Sequence, residues 1–348
     1  MLGDMLRRLI HQLPSWVKNM SQKRIFWKTI IAVVVISIVS YSLKNLMTHL
    51  KDLLGIKAVR VTNCDLPSDL PFINEQLTSP IRIPDLPQVT PILPSTKSNK
   101  CINMIKRKHV KDLSSVEIPS FHYCVEGNMI PENVQEFYLR RLDYNITSKF
   151  FSFLKGKSDV VIIEIGGYTG QLLRRLIPVT DAKHYVVIEP VPSFYNTLNK
   201  NIKTFNFNTS IRTYNFGLSR SQKEMDIGIV GDATNLSRKK VIQKRRAKTT
   251  EKVRLVSVLD FFIQLGVGCH KIDLLTINCE GCEIDVLETL LSTNLIENFD
   301  YIQFQPHYFA PHVGNFLCRY CRLRQLLART HEVVYNFPQV WEAWKRKQ

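Results

Sequence analysis

The chain has 348 residues with 45% hydrophobic and 22% charged content, which excludes a disordered or fibrous polypeptide and leaves room for a sizeable core. A formal net charge of +17 calls for an anionic partner class: nucleic acid, an anionic membrane surface or an acidic substrate.

Residues 1–24 read as a cytosolic tail. The most apolar stretch, Thr29–Leu43, follows it, fenced by Lys28 and Lys44. Fifteen helical residues span about 22 Å, short of a hydrocarbon core of roughly 30 Å. Flanking apolar residues and snorkelling lysines extend the candidate to Ile25–Met47, long enough to span as a transmembrane signal-anchor. A cleaved signal peptide and a buried soluble helix are the competing readings. Arg7, Arg8, Lys18, Lys23, Arg24 and Lys28 precede the segment, whereas Lys44, Lys51, Lys57 and Arg60 follow it. That bias predicts a single-pass type II protein of the Golgi or ER, with the larger part lumenal. All eight cysteines lie beyond the segment, which suits an oxidising compartment. Sequons at Asn145, Asn208 and Asn235 are compatible with it and weigh little.

Residues 48–115 follow as an expected proline-rich stem. Prolines 67, 71, 80, 84, 87, 91 and 94 forbid regular helix there and favour extended backbone. Leu, Ile and Phe interspersed among them leave a second reading open, an irregular extension packed on the following domain.

From residue 116 to 348, short β-rich runs alternate with helical periodicity, which predicts one α/β domain with a doubly wound, mostly parallel, seven-stranded sheet. The expected strands are Val160–Ile165, His184–Glu189, Ile211–Phe216, Val253–Val256, Ile272–Asn278, Tyr301–Gln305 and Val333–Asn336. The expected helices are Gly170–Ile177, Pro192–Ile202, Val258–Leu265, Ile284–Thr293 and Cys318–Thr330, with another at Pro131–Leu154 on the sheet edge. Pro192 suits a first helical turn and Ser257 an N-cap.

The first strand runs into Glu164-Ile-Gly-Gly-Tyr-Thr-Gly170, a glycine-rich turn ahead of a helix. Such a turn lets backbone approach a ligand closely. The second strand ends at Glu189, whose carboxylate can accept hydrogen bonds from two ribose hydroxyls. The turn lacks the G-x-G-x-x-G of dinucleotide sites and the Gly-Lys-Ser/Thr of phosphate loops. Glu164 leading it suits a nucleoside cofactor that carries an ammonium instead of phosphates, because a carboxylate repels pyrophosphate.

These motifs, with Ile188-Glu-Pro-Val-Pro-Ser-Phe194, Asn215-Phe-Gly-Leu-Ser219, Val258-Leu-Asp260 and Ile277-Asn-Cys-Glu-Gly-Cys-Glu283, resemble the FkbM-type methyltransferase family over about residues 120–340, in particular its membrane-anchored members frequent in nematodes. The resemblance implies a Rossmann-like class I methyltransferase fold with S-adenosylmethionine as cofactor. It implies that Glu164, Gly166, Gly167 and Gly170 cradle the methionine part, that Glu189 holds the ribose, and that Gly217 and Leu218 border the adenine. Asn278 and Glu283 would lie on the substrate side. Family members methylate hydroxyl groups on sugars or polyketides, so an anchored, lumenal relative is expected to modify a glycan or glycolipid. His307, just past a strand, is the first candidate for the base that removes the acceptor's proton, and Glu280 is the second. Two departures bear on turnover: Tyr168 stands where the family has Asn, and Asn278 where it has Asp before Glu-Gly.

Cys279-x-x-Cys282 and Cys318-x-x-Cys321 offer four thiols, but the first pair lies inside a strand–turn–helix motif awkward for zinc. Disulfides or buried thiols are the expected state, and no metal is expected. Arg238–Lys248 packs seven cations into eleven residues. It reads as a solvated loop, or as a patch for an acidic glycan or lipid head groups. No aromatics interleave with it, so nucleic acid is not an expected partner. Anchor, stem and α/β domain also describe a type II glycosyltransferase, but the chain has no Asp-x-Asp metal motif. A noncatalytic binding protein on the methyltransferase fold is the remaining alternative.

Overall fold

A computed structural model describes residues 64, 86, 88–92, 103–106, 113–127, 148–230, 233–235, 249–307, 315–337 and 340–348. The chain divides into two compact units, residues 1–59 and 60–348, and all described residues belong to the second. The expected tail and transmembrane segment (1–24 and 25–47), the basic run 238–248 and the sequon at Asn145 lie outside the described residues. Among the described residues no helix is long and apolar enough to cross a membrane.

The core is a seven-stranded sheet in the order β10-β11-β9-β8-β1-β2-β3. Its centre is β1 (Val161–Ile165), flanked in parallel by β2 (His184–Ile188) and β8 (Ile272–Ile277). Next come β3 (Ser210–Tyr214) and β9 (Phe299–Phe304), also parallel. β1 and β8 are buried along their whole length and read as near-continuous apolar runs, as strands covered on both faces do. The odd residues of β1 (Val161, Ile163 and Ile165) share one core with α4 (Val258–Leu265), α5 (Glu283–Leu291) and α6 (Phe316–Leu327). Ile162, Tyr185 and Val187 face the opposite core, built with α2 (Gln171–Thr180) and Leu198 of α3 (Pro192–Ile202). The expected doubly wound sandwich is therefore present. Pro192 occupies the first turn of α3, and the Ser257 hydroxyl caps α4 by accepting from the Asp260 N–H at 3.3 Å.

The membership of the sheet differs from expectation at one strand. The Val253–Val256 run belongs to β7 (Thr249–Ser257) of a second, four-stranded sheet, with β4 (Gly217–Ser219), β5 (Lys223–Val230) and β6 (Ala233–Asn235). The seventh strand of the main sheet is instead β11 (Trp341–Arg346), which runs antiparallel between β9 and β10 (His331–Phe337). Of the helix expected at Pro131–Leu154, residues 131–147 lie outside the described residues, and Phe150–Leu154 forms a 3-10 turn.

Described parts of the segment expected as a stem, 48–115, pack on the domain instead. Leu86, Val89, Ile92 and Ile105 are buried in the main core. The Ile92 N–H donates to the Leu265 carbonyl at 3.0 Å. The Arg212 guanidinium, on β3, donates to the carbonyls of Thr90 at 2.9 Å, Pro91 at 2.6 Å and Ile92 at 3.0 Å. Proline-rich backbone cannot pair in a ladder, so a guanidinium takes over the role of satisfying its carbonyls. Disulfides complete the attachment. Cys318 and Cys321, one turn apart on α6, bond Cys64 and Cys124, the latter on α1 (Glu117–Gly127). Cys279 bonds Cys282. These bonds occupy all four thiols of the two C-x-x-C pairs, which removes the zinc reading, and no metal-holding cluster occurs among the described residues.

Candidate active site

The carboxyl ends of β1, β2, β8 and β9 meet at one edge of the sheet, where ligands of such folds collect. The loop after β1 turns through Gly166 and Gly170, both in the left-handed region at φ +91° and +87°. The N–H groups of Gly166 and Gly167 donate to the Ile188 carbonyl at 2.9 and 3.0 Å, which lays the turn against the end of β2. A Cβ at Gly166 would stand 1.8 Å from the Asn278 carbonyl oxygen, and one at Gly167 would stand 2.2 Å from Val187 Cγ2. Both glycines are thus required by close protein neighbours, in addition to any ligand. Gly217 is likewise confined between Leu255 and Pro190, and Leu218 is buried in the core.

Glu189 follows β2. Its two carboxylate oxygens accept from the N–H groups of Tyr168, at 2.7 Å, and Val191, at 2.9 Å. Burial raises its pKa to about 7 against the lowering effect of those two donors, with Glu251 adding to the rise. Glu164, within β1, is also buried, and its Oε2 accepts from the Tyr185 hydroxyl at 2.6 Å. Burial pushes Glu164 up to about 8; the Tyr185 hydroxyl opposes the shift and the nearby Glu189 adds to it. Two buried carboxyls, both held above their ordinary range, thus stand at the ends of β1 and β2.

The loop after β8 carries the second cluster. Asn278 is fixed by its N–H, which donates to the Ile165 carbonyl at 2.8 Å. Cys279, Glu280, Gly281 and Cys282 then turn into α5, with Glu280 at φ +56° and Gly281 at φ +112°. Glu283, fully buried at the first turn of α5, accepts from the Cys279 N–H at 2.9 Å and from His307 Nδ1 at 2.6 Å through the same oxygen, Oε1. His307 Nε2 lies 3.6 Å from Glu280 Oε1. Burial works against a charge on His307, but Glu283 and Glu280 outweigh it and raise its pKa to about 9. The imidazole is therefore cationic at neutral pH, buried, and flanked by carboxylates on both nitrogens. Of the three side chains, Glu280 is the one with appreciable exposure, about a third of its side chain. Farther along α5, Asp285 and Glu288 are held between Arg220 and Arg319, which anchors the helix that presents Glu283.

The structure thus brings together Glu164, Gly166, Gly167, Gly170 and Glu189 at one side of the edge, and Asn278, Glu280, Glu283 and His307 at the other. Three contributors were not singled out in the sequence. Tyr185 lies on the same strand face as Glu164, a placement that period-2 alternation from Val187 encodes. Phe194 packs edge-on against Tyr168 at 4.7 Å. Asn215 donates to the Glu189 carbonyl at 2.9 Å.

Residues 164–334 match the family model described as the methyltransferase FkbM domain. No curated protein matches the chain. Among solved structures, a putative caffeoyl-CoA O-methyltransferase from Staphylococcus aureus is 11% identical, covering 72% of this chain and 99% of its own, with a TM-score of 0.34. A putative tRNA (m1A22) methyltransferase from Streptococcus pneumoniae, in complex with S-adenosyl-L-methionine, is 14% identical over 59% of this chain and 72% of its own, at a TM-score of 0.33. A dimethyladenosine transferase from Plasmodium falciparum is 17% identical over 58% and 61%, also at 0.33. Residues 164–334 are an FkbM methyltransferase domain, a family whose cofactor is S-adenosylmethionine.

Proposed function

We propose that the chain is an S-adenosylmethionine-dependent O-methyltransferase acting on a hydroxyl, with a glycan or glycolipid of the secretory lumen as its acceptor class. The observation that carries the reading is the pairing of two clusters at one sheet edge: a cation-favouring crevice at Glu164 and Glu189, and a Glu280–His307–Glu283 array beside it. The donor set fits the cofactor. Buried carboxyls match a sulfonium and an ammonium, and Glu189 stands at the strand tip that holds a ribose in nucleoside-binding sheets.

When bound, S-adenosylmethionine supplies the methyl group and a good leaving group. Glu164 would face the cationic part, and Glu189 would hold the sugar. As the new carbon–oxygen bond forms, the acceptor hydroxyl must lose its proton, and the exposed carboxylate of Glu280 takes it. His307 and Glu283 hold that carboxylate from behind. Both imidazole nitrogens already face carboxylates, so His307 positions the base and Glu280 meets the acceptor.

The lumenal assignment is supported by the three described disulfides, a bond type that persists in oxidising compartments. Anchoring through residues 25–47 and recruitment of an acidic glycan by Arg238–Lys248 belong to the same reading. A second reading, a noncatalytic binding protein, is favoured by Asn278. Calorimetric titration of S-adenosylmethionine into the chain, beside Glu189→Ala, tests the proposal. Saturable binding lost in the variant supports it, and a folded chain that binds no cofactor overturns it. Methylation that appears only in Asn278→Asp would identify a detuned enzyme.

A further inference from the structure

Cys279 and Cys282 are half-buried and enclose the two residues of the active-site loop that sit in the left-handed region, Glu280 and Gly281. The loop's own backbone bond, from the Cys282 N–H to the Cys279 carbonyl, is long at 3.4 Å. Glu280 carries a Cβ, and left-handed backbone is unfavourable for it in the absence of an external constraint. One constraint present is the disulfide, which closes the loop around Glu280, whose carboxylate lies 3.6 Å from His307. Either side of the loop is fixed independently: Asn278 by its bond to Ile165, and α5 by Arg220 and Arg319. Opening the disulfide therefore removes the covalent link across a four-residue loop, while the Cys279 N–H keeps its bond to Glu283.

The other two described disulfides close no short loop and have at least one buried cysteine each. Cys318 and Cys321 are buried in the core side of α6, Cys124 is buried on α1, and these bonds join segments 254 and 197 residues apart. Their role is attachment of distant chain; both cysteines of the Cys124–Cys321 bond are buried, and in the Cys64–Cys318 bond the half-buried Cys64 is joined to a buried partner.

We infer that the Cys279–Cys282 disulfide is a reducible clasp that sets the position of Glu280, so that the site is switched by exchange with a dithiol. The inference rests on the reading of Glu280 as the substrate-facing carboxylate. In the exchange, a thiolate of the dithiol attacks Cys279 Sγ and the sulfur–sulfur bond breaks. Cys282 leaves as a thiolate at the N-cap of α5, where the helix N-terminus stabilises it. The second thiol of the reagent then displaces Cys279 from the mixed disulfide. Two electrons pass to the protein, its two cysteines take up two protons, and the dithiol becomes a disulfide. In the open form Glu280 leaves the left-handed region and its carboxylate moves away from His307.

The test uses the full-length chain, dithiothreitol as the dithiol, isotope-coded alkylation read by mass spectrometry, and NMR of 15N-histidine-labelled protein. The expected result is alkylation of Cys279 and Cys282 at least about tenfold faster than of Cys64, Cys124, Cys318 and Cys321, because access governs exchange. The His307 imidazole resonances should shift in step, and its titration midpoint should fall as Glu280 departs, Glu283 remaining beside it. The double variant Cys279→Ser/Cys282→Ser should show the shifted resonances without reductant, and dithiothreitol at that dose should not move them further. Simultaneous opening of all disulfides, or release of Cys279 and Cys282 with unmoved His307 resonances, would overturn the inference. Failure of both redox forms to bind S-adenosylmethionine would sink the methyltransferase reading, while the alkylation and imidazole readouts still decide whether the clasp exists.

Discussion

Replacing Glu164 by Gln isolates the electrostatics of the proposed cofactor crevice. Glu164 is fully buried in β1 and is raised from 4.5 to about 8. A carboxyl raised in this way keeps its proton in the folded chain and loses it in the unfolded chain, so the unfolded state binds fewer protons and stability falls as pH rises. The native advantage is whole below pH 4.5 and drains through pH 8. At 1.36 kcal/mol per unit, three pH units to 7.5 cost about 4 kcal/mol, and the loss levels off near about 5 kcal/mol above pH 8. Gln does not titrate, and its carbonyl oxygen can keep the bond from the Tyr185 hydroxyl.

Urea unfolding of wild type and Glu164→Gln from pH 5 to 9 therefore gives curves that are close together at the acid end. They separate upward in pH, with the variant more stable by about 3–4 kcal/mol at pH 7.5 after allowance for an imperfect amide fit. Glu189 and His307 contribute slopes of the same sign, but they are present in both proteins and cancel to first order. Cofactor binding provides the complementary readout. A bound cation favours the ionised carboxyl, so S-adenosylmethionine titrated into wild type at pH 7 should release a proton, seen in buffers of different ionisation heat. The variant should release fewer and bind more weakly. A stability difference that is the same at pH 5 and pH 8 would refute the reasoning.

Arg212→Met leaves three carbonyls of the strap at Thr90–Ile92 without their charged donor, and it should cost about 2–4 kcal/mol in urea unfolding; protection of the Ile92 amide against hydrogen exchange should fall with it. Gly166→Ala combines left-handed strain with a Cβ 1.8 Å from the Asn278 oxygen, and should lower stability by about 2–5 kcal/mol together with cofactor affinity, read by thermal unfolding and calorimetry. His307 should titrate by NMR with a midpoint near 9, and Glu283→Gln should bring it down. If His307 were the base, methyl transfer would rise through that pH, whereas the positioning role makes it decline there.

Much of the fold was legible because its strongest signals are local. β1, β2, β8 and β9 are short apolar runs, and the capping residues Pro192 and Ser257 mark true helix starts. The four-stranded second sheet was hidden because adjacent charges (Lys223-Glu224 and Glu251-Lys252) break the period-2 pattern of Lys223–Val230 and Thr249–Ser257, so the middle of β7 alone read as a strand. β11 was missed because Trp341-Glu-Ala-Trp is an aromatic and charged run. Its Glu342 is buried against Arg324, a long-range pairing that no local pattern contains. The sequence left the packed strap and the stem open as two readings of the proline-rich segment for a similar reason. Its apolar residues were visible, but the partners that bury them, Leu265 and Arg212, lie more than a hundred residues away.

The site divides along the same line between local and distant information. Glycine spacing located the turn, yet the reason Gly166 must be glycine is the Asn278 carbonyl, donated by a strand that arrives about 110 residues later. That contact gives Asn278 a role independent of its missing charge. Its N–H is spent on Ile165 and its carbonyl oxygen is pressed on Gly166, so the backbone of one residue joins the cofactor turn to the loop that carries Glu280. Backbone groups do this equally well for Asn and Asp, so Asn278→Asp is expected to keep both contacts while adding one negative charge to the loop that carries Glu280. His307 is held cationic by Glu283 and Glu280, and Asp at 278 would add a negative charge to the loop that carries Glu280. On the proposed reading, in which Glu280 meets the acceptor and Glu164 and Glu189 the cofactor, cofactor binding and turnover are expected to respond separately to Asn278→Asp.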